Sequence, residues 1–338
     1  MTDRHVFVYV DLDGKPHLVG QLWGHMRKGK ESATFEYNEA WLKHPARFAL
    51  QPALALGKGP LHTPAGRQIF GAIGDSAPDR WGRVLIQRNE RRKAKEENRP
   101  PHSLGEIDYL LAVNDTARQG ALRFAEQQGG SFLAQGVQIP PLLRLGELLN
   151  AALNVTADED SDADLKLLLA PGSSLGGARP KASIIDRDHQ LAIAKFPQHG
   201  DLVPVSLWEA TALTLAAKAG IPTPEWRIEK VAKRDVVLLR RFDREGERRI
   251  PFLSAMSMLD AIDNDQHSYL EIADALRQYG AQPAEDCAQL WRRVMFNILI
   301  SNSDDHLRNH GFLYVEGGWR LSPAYDLNPY RSTSSRAS

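Results

Sequence analysis

Alternating hydrophobic and polar positions open the chain and predict antiparallel β-strands. Residues 6–10 and 17–22 alternate on either side of Asp13-Gly14, a dipeptide typical of tight hairpin turns. A third alternating run covers 33–37, and the segment 120–124 predicts another short strand. The amino-terminal part of the chain is therefore expected to be rich in β-structure.

Helical patterns with a strong charge follow these strands. Pro78 and the polar residues before it are typical of a helix start, so a long helix is expected over about 78–97. Between Asp79 and Arg99 there are eight Lys or Arg residues against four Asp or Glu residues, a local charge of +4. This helix could contact phosphates or a partner, or it could be a solvated face with ion pairs. The acidic run 158–164 is typical of a linker or a helix start, and metal binding there is less favoured.

The second half of the chain alternates strands with helices. The predicted elements are a hairpin (182–185 and 191–196), a helix from about Ser206, a buried strand (236–239), a helix (290–300) and a second hairpin (311–315 and 319–321). With 42% hydrophobic and 25% charged residues, the 338-residue chain can bury a sizeable core. This length suggests two domains, which we place at 1–150 and 151–338.

Charge and composition argue against several classes of protein. The 42 Lys and Arg residues balance 42 Asp and Glu residues, which argues against bulk attraction to nucleic acid or to an anionic membrane. No apolar run approaches the roughly 18 residues that span a bilayer, and the first residues lack the pattern of an export signal. The single cysteine, Cys287, can form no internal disulfide. A cytoplasmic protein is expected.

The segment 301–309 is the richest in candidate chemistry and is expected to be a loop after the last predicted helix. Asp304 and Asn309 have the D-x-x-x-x-N spacing of protein-kinase catalytic loops, where the aspartate accepts the substrate hydroxyl proton and the asparagine holds a metal. An ordinary polar turn also fits this spacing. The hairpin that follows returns to Asp326, so this carboxylate can lie near Asn309 and share a hard cation with it. His306 is expected to orient the loop by hydrogen bonding.

A phosphoryl-transfer site also needs groups that hold phosphates, and residues 173–181 form a glycine-rich segment before a strand. It matches neither common phosphate-loop pattern, so a tight turn explains its glycines equally well. Lys195 ends the returning strand of the next hairpin, where a phosphate-binding lysine is expected. Glu209, on the helix from about Ser206, is its natural ion-pair partner. The alternative for Lys195 is a lysine that extends to solvent from a strand end.

Together these features resemble the HipA family, the kinase toxins of bacterial type II toxin–antitoxin systems. The segments that carry the resemblance are 70–83, 120–124, 173–181, 194–197, 241–244, 302–309 and 325–326. The resemblance implies an α+β, two-lobed protein-kinase-like fold. Residues 1–150 would be its β-rich N-terminal domain and 151–338 its kinase core, with the small-lobe strands ending near residue 240. Because the family continues well past its metal-binding aspartate, the large lobe is expected to be truncated at the C-terminus.

The resemblance also implies a Ser/Thr protein kinase that transfers the γ-phosphate of ATP to a protein serine. Asp304 would be the catalytic base, and Asn309 and Asp326 would hold Mg²⁺. Ser174 lies where the family carries an inhibitory autophosphorylated serine, with Ser173 as the neighbouring alternative. The residues implied to bind ATP are Ser174, Leu175, Gly176, Gly177, Ala178, Arg179, Lys181, Lys195 and Glu209.

The implied partners are a HipB-like helix-turn-helix antitoxin and, mainly through that antitoxin, operator DNA. The implied protein substrate is a translation factor such as an aminoacyl-tRNA synthetase, whose phosphorylation would cause growth arrest or persistence. Two alternatives stay open. One is a catalytically weak or inactive kinase fold that acts as a binding or corepressor subunit of a toxin–antitoxin complex. The other is a small-molecule kinase of similar architecture.

Overall fold

The computed structural model of the protein describes residues 4–134, 138–172, 177–263, 265–315 and 317–329. Its strands are β1 (Arg4–Leu12), β2 (Lys15–Arg27), β3 (Lys30–Tyr37), β4 (Pro60–His62), β5 (Leu122–Ala125), β6 (Lys181–Ile185), β7 (Leu191–Lys195), β8 (Trp226–Val231), β9 (Arg234–Arg240), β10 (Arg244–Glu245), β11 (Arg248–Arg249), β12 (Phe252–Ser254), β13 (Gly311–Val315) and β14 (Gly318–Leu321). Its helices are α1 (Glu39–Leu42), α2 (Gly71–Gly74), α3 (Arg80–Glu96), α4 (Glu106–Ala112), α5 (Leu145–Thr156), α6 (Asp162–Leu169), α7 (Val205–Lys218), α8 (Ala255–Met258), α9 (Tyr269–Tyr279) and α10 (Pro283–Leu299).

The amino-terminal strands form a five-stranded antiparallel sheet in the order β4-β3-β2-β1-β5. Its first hairpin turns at Asp13 and Gly14, which both have positive φ angles of 53° and 75°. This backbone matches the twist of the flanking strands, so the predicted hairpin is confirmed. Val8, Val10 and other alternating apolar side chains of the sheet are fully buried. The predicted β-rich character of this part is also confirmed.

The second sheet is antiparallel, with four strands in the order β6-β7-β9-β8, and helices cover both of its faces. Val236 and Leu238 of β9 pack in one cluster with helices α5 and α6. Val237 and Leu239 point the other way and pack in another cluster with α7. Successive side chains of β9 point to opposite faces of the sheet, and helices cover both faces. Residues 236–239 are therefore all apolar.

The third part of the structure combines helices α8 to α10 with a three-stranded sheet in the order β12-β13-β14. Helix α10 packs against α9 and β14, and its Asp286 accepts a hydrogen bond from Arg320 Nε at 2.8 Å. The opposite face of α10 exposes Trp291, Ile298 and Leu299. No helix in the described part of the chain is both long and apolar enough to cross a membrane.

The basic helix α3 packs against α4 of the amino-terminal part and against α6 beside the second sheet. Its Arg88 and Arg92 form ion pairs with the acidic run that precedes α6, through Asp158, Asp160 and Asp162. These contacts agree with the ion-paired interpretation of the basic helix. The acidic run is a helix start, because Ser161 and Asp164 cap α6. The predicted domain division after residue 150 falls inside α5 and stays a prediction.

Candidate active site

Two lysines stand opposite each other on neighbouring strands and define the candidate site. Lys181 of β6 pairs directly with Lys195 of β7, so both side chains point to the same face of the sheet. Like charges in this position destabilise a sheet unless other groups compensate them. Lys195 Nζ lies 2.5 Å from Glu209 Oε1 and 3.0 Å from Asp326 Oδ1. Two carboxylates from separate parts of the chain therefore balance the positive charge of Lys195.

The predicted ion pair between Lys195 and Glu209 is present, and helix α7 explains why. Glu209, Leu213 and Ala216 are buried on one face of this helix, at a spacing of three and four residues. Leu213 and Ala216 pack with the apolar side chains of β9. This packing places Glu209, one turn earlier, beside the end of β7.

Buried charges surround Lys195 and set the ionisation of the cluster. Burial alone would lower the pKa of Lys195, but Asp326 and Glu209 raise it above its usual range. Burial would raise the pKa of Asp326, but the charge of Lys195, helped by Lys181 and His306, lowers it. Desolvation raises the pKa of Glu209. Asp326 is thus the carboxylate of this cluster that is held as an anion and can attract a cation.

The segment after α10 forms a loop that exposes Asp304 and buries the residue next to it. Asn309 Nδ2 donates a hydrogen bond to the Asp304 carbonyl oxygen at 3.1 Å, which closes the loop. The Asp304 side chain is exposed, whereas the Asp305 carboxylate is 6% exposed. The groups that contact Asp305 Oδ2 are Tyr269 Oη at 2.7 Å, Asn297 Nδ2 at 2.8 Å and His310 Nε2 at 3.1 Å. Asp305 therefore anchors the loop on α9 and α10.

The structure gives the orienting role predicted for His306 to another histidine. Within the described residues, the exposed His306 side chain makes no hydrogen bond, whereas the buried His310 contacts Asp305. Sequence reasoning gave neither Asp305 nor His310 the role of anchoring the loop. The sequence offered only a second acidic residue directly after Asp304, and its burial depends on partners from distant segments, since an aspartate is almost never fully buried unless it is paired.

Tyr325 connects the Asp304 loop with Asp326. Its hydroxyl donates to the Arg308 carbonyl oxygen at 2.7 Å, and its ring stacks on Phe242 with centroids 5.5 Å apart. Asp326 has a φ angle of +57°, in the left-handed region where residues other than glycine are uncommon. Backbone strain of this kind concentrates at functional sites. The hairpin β13–β14 thus returns the chain to the loop through Tyr325, whereas the expected proximity of Asp326 to Asn309 stays a prediction.

The glycine-rich segment is described only in part. The predicted ATP-binding residues Ser174, Leu175 and Gly176, and the predicted phosphorylation site at Ser174 or Ser173, lie outside the described residues. Gly177 and Ala178 are exposed, and Gly177 has a φ angle of +98° that requires glycine. Arg179 Nη2 lies 2.6 Å from Asp201 Oδ2. This part of the segment is therefore attached to the loop after β7.

Lys181, another predicted ATP-binding residue, contacts the amino-terminal part of the chain. Its Nζ lies 2.5 Å from Asp79 Oδ2 and donates to the Gly177 carbonyl oxygen at 3.1 Å. Sequence reasoning identified the capping side chains at the start of α3 but gave Asp79 no place in the site. Lys195 was expected to have a carboxylate partner because a buried charge is costly unless it is paired. The same reasoning applies to Lys181.

Carboxylates pair with both lysines of the site. Lys181 contacts Asp79, and Lys195 contacts Glu209 and Asp326. Phosphate groups that approach these carboxylates are repelled unless a cation accompanies them. No cluster of three or more potential metal-ligating side chains occurs among the described residues. An arrangement of this kind can bind phosphates bridged by a cation and can accept a proton at Asp304.

The carboxy-terminal half of the chain resembles a known family of domains. Residues 173–337 match the family model of the HipA-like C-terminal domain. The chain is 25% identical over 185 residues to a Haemophilus influenzae protein named "Putative kinase", covering 47% of this chain and 54% of that protein. It is 28% identical over 172 residues to the Escherichia coli K12 protein named Toxin YjjJ, covering 47% and 38%. The chain thus spans about half or less of the length of these relatives.

A solved structure covers nearly the whole chain. It is a chain of the Shewanella oneidensis MR-1 complex of HipA, HipB and operator DNA, with a TM-score of 0.67 and 17% identity. The match covers 96% of this chain and 76% of that chain. The predicted α+β, kinase-like HipA fold is confirmed. The resemblance to the HipA family that the sequence indicated is confirmed as well.

Proposed function

Because the chain has a HipA-like C-terminal domain on a kinase-like HipA fold, we propose that it is an ATP-dependent Ser/Thr protein kinase toxin. The observation that carries the proposal is the contact of Lys195 with both Glu209 and Asp326. Phosphoryl transfer by protein kinases requires a lysine paired with a helix glutamate and, beside it, an aspartate that can bind Mg²⁺. In this proposal the chain transfers the γ-phosphate of ATP to a serine of another protein.

The proposal gives each residue a specific role. Asp304 accepts the proton of the substrate hydroxyl, which suits an exposed carboxylate on an anchored loop. Lys195 contacts the phosphates of ATP, and Glu209 keeps its ammonium in place. The glycine-rich segment covers the phosphates through its backbone amides. Phosphorylation of Ser174 or Ser173 in that segment would then inhibit the enzyme.

The donors near Asp304 fit magnesium. Asn309 uses its Nδ2 for the loop hydrogen bond, and its Oδ1 has no hydrogen bond to any described residue. Asp326 is an anion, as its lowered pKa indicates. Amide and carboxylate oxygens are the ligands that this hard cation takes. Asn309 and Asp326 would hold Mg²⁺, which would neutralise part of the charge of the ATP phosphates.

Partners follow from the comparisons rather than from the site. A solved relative forms a complex with HipB and operator DNA, so we propose a HipB-like helix-turn-helix antitoxin that neutralises this chain and contacts the operator. By family resemblance, the substrate is a translation factor such as an aminoacyl-tRNA synthetase, and the enzyme acts in the cytoplasm. Growth arrest or persistence would follow from that phosphorylation.

A binding-only subunit of a toxin–antitoxin complex is the second candidate. The observation in its favour is the 3.0 Å contact between Lys195 and Asp326, which occupies a carboxylate oxygen that a cation would use. Calorimetric titration with ATP, with and without Mg²⁺, tests the metal-dependent nucleotide binding that the kinase proposal requires. The kinase proposal expects ATP binding that depends on Mg²⁺ and is lost in Asp326→Asn. Magnesium-independent binding that Asp326→Asn leaves intact would contradict it.

A further inference from the structure

We propose that Asp79 is a positioning residue of the site, through which helix α3 holds residues 177–181 of the glycine-rich segment. For its effect on nucleotide this inference rests on the proposed function, whereas the structural link stands by itself. The inference extends the site to the amino-terminal part of the chain. It also gives Lys181 a different role from the ATP contact that the sequence suggested.

The carboxylate of Asp79 is fully engaged and nearly buried. Its side chain is 6% exposed, and the Lys181 side chain that it contacts is 2% exposed. Oδ2 contacts Lys181 Nζ, while Oδ1 accepts a hydrogen bond from the Gly82 backbone N–H at 2.7 Å. Because both oxygens have partners, the direction of the carboxylate is fixed. Lys181 is thereby fixed to the first turn of α3.

Lys181 connects Asp79 with Gly177 of the glycine-rich segment. Its ammonium also donates to the Gly177 carbonyl oxygen at 3.1 Å, so one side chain closes the turn from 177 to 181. Its own carbonyl oxygen accepts a hydrogen bond from Trp81 Nε1 at 3.0 Å. Both the main chain and the side chain of Lys181 are therefore attached to the start of α3.

Helix α3 also contacts the chain on the other side of the undescribed residues 173–176. A Cβ atom added to Gly172 would lie 2.5 Å from Leu85 Cδ1 and 3.3 Å from Trp81 Nε1. Glycine allows this close approach, since any side chain would displace the helix or the backbone. Helix α3 thus contacts the chain at Gly172 and at Lys181, on either side of the undescribed residues 173–176.

Asp75, just before α3, contacts the third part of the structure, which contains helices α8 to α10. Asp75 accepts hydrogen bonds from the Ser254 backbone N–H at 2.7 Å and from Ser254 Oγ at 2.8 Å. Ser254 is the N-cap of α8, and β12 pairs with β13 next to the Asp304 loop. Within five residues, Asp75 and Asp79 therefore contact the part that carries Asp304 and the part that carries Lys181. A change at Asp79 is expected to alter how the segment faces the catalytic loop.

The test compares two nearly buried aspartates, Asp79 and Asp160, that both contact helix α3. Asp79→Asn keeps the cap of α3, because asparagine caps helices as well as aspartate, but removes the charge that holds Lys181. Asp160→Asn is the matched control, since its side chain is also 6% exposed and pairs with Arg88 and Arg92 of α3. Both variants are measured as full-length chains by hydrogen exchange of residues 177–183 and by titration with MgATP.

We expect faster exchange of 177–183 in Asp79→Asn than in the wild type and in Asp160→Asn. We also expect MgATP affinity to fall by about tenfold or more in Asp79→Asn alone, because misplacement of a binding group has effects of this size. Unchanged exchange and affinity in Asp79→Asn would overturn the inference. If the wild type binds no MgATP, the proposed function fails, and the exchange result still decides whether Asp79 holds the segment.

A second variant covers the case in which Asp79→Asn does not fold. Trp81→Phe removes the indole N–H that donates to the Lys181 carbonyl oxygen and keeps most of the apolar packing against Leu85. It is expected to raise exchange at 181–183 with a smaller effect on MgATP affinity. Exchange at the wild-type rate in Trp81→Phe would contradict the link between α3 and the glycine-rich segment.

Discussion

Lys181 and Lys195 face each other directly across the β6–β7 pair, and carboxylates from three distant parts of the chain compensate them. Asp79 comes from the start of α3, Glu209 from α7, and Asp326 from the segment after β14. Two ammonium groups on one face of a sheet would otherwise repel each other. The candidate site is therefore assembled from three parts of the chain. They are the amino-terminal part, the second sheet with helix α7, and the segment after β14.

The first prediction concerns the partner of Lys195 on helix α7. Glu209→Gln keeps the size of the side chain but leaves a buried ammonium with Asp326 alone. We expect a loss of about 1–3 kcal/mol in the free energy of unfolding, because the buried ammonium loses one of its two charged partners. Urea unfolding measures it.

The control for this variant is Glu147→Gln. Glu147 pairs with Arg144 at the surface, and both side chains are about half exposed or more. A surface pair of this kind contributes little, so no measurable change in stability is expected. Equal stability of Glu209→Gln and the wild type would show that the pair with Lys195 does not support the fold.

The second prediction is a pH dependence that arises at Asp305. Burial would raise the pKa of Asp305, but hydrogen bonds from His310, Tyr269 and Asn297 lower it below its usual value near 3.8. A carboxylate with a lowered pKa stabilises the folded state above its unfolded-state pKa, and this contribution disappears as the pH falls through the folded-state pKa. The stability difference between the wild type and Asp305→Asn is therefore expected to shrink below about pH 4.

Urea unfolding of both proteins in a series from pH 7 to pH 3 measures this difference. Titrating groups that do not contact Asp305 are common to the two proteins, so their contributions cancel in the comparison. A stability difference that stays constant over the whole series would contradict the assignment of Asp305 as the ionised anchor of the loop.

The third prediction concerns the buried cluster at 241–244, which contacts the amino-terminal part. Asp243 Oδ2 accepts hydrogen bonds from Arg241 Nη2 at 2.6 Å, Arg244 Nη1 at 2.8 Å and the Gly120 backbone N–H at 2.7 Å. Asp243→Asn would leave two buried guanidinium groups without a counter-charge. We expect a loss of about 3–5 kcal/mol, measured by urea unfolding.

Glu245→Gln serves as the control for the Asp243 variant, because Glu245 is an exposed neighbour that pairs with Arg248 at the surface. It is expected to unfold like the wild type. If Asp243→Asn also unfolds like the wild type, the arginines do not depend on Asp243, and the cluster does not connect the two parts as described.

The sequence predicted those parts of the site that have a local signal. A charged residue in the apolar strand run of β7 requires a partner, and the helical pattern from Ser206 supplied Glu209. The spacing from Asp304 to Asn309 and the return of a hairpin to Asp326 depend on residues that are close in the chain. Elements of this kind follow from periodicity and turn chemistry alone.

The sequence did not predict the contacts that join distant segments. Asp79 and Lys181 are about a hundred residues apart, and no local pattern signals that α3 lies across the second sheet. The different burial of Asp304 and Asp305 depends on α9 and α10, so it follows from tertiary packing. The segments that resemble the HipA family at 120–124 and 241–244 meet in one buried cluster, which the sequence alone could not show.

The most direct test of the account is transfer of phosphate by the purified chain. Mass spectrometry of intact protein and peptides, before and after incubation with MgATP, would be applied to the wild type, to Asp304→Asn and to Asp274→Asn. Asp274 is an exposed carboxylate on α9 that serves as the control. We predict one phosphate on the peptide containing Ser173 and Ser174 in the wild type and in Asp274→Asn, and none in Asp304→Asn. Phosphate gained equally by Asp304→Asn, or absent from a wild type that binds MgATP, would contradict the assignment of this site as a kinase centre with Asp304 as its base.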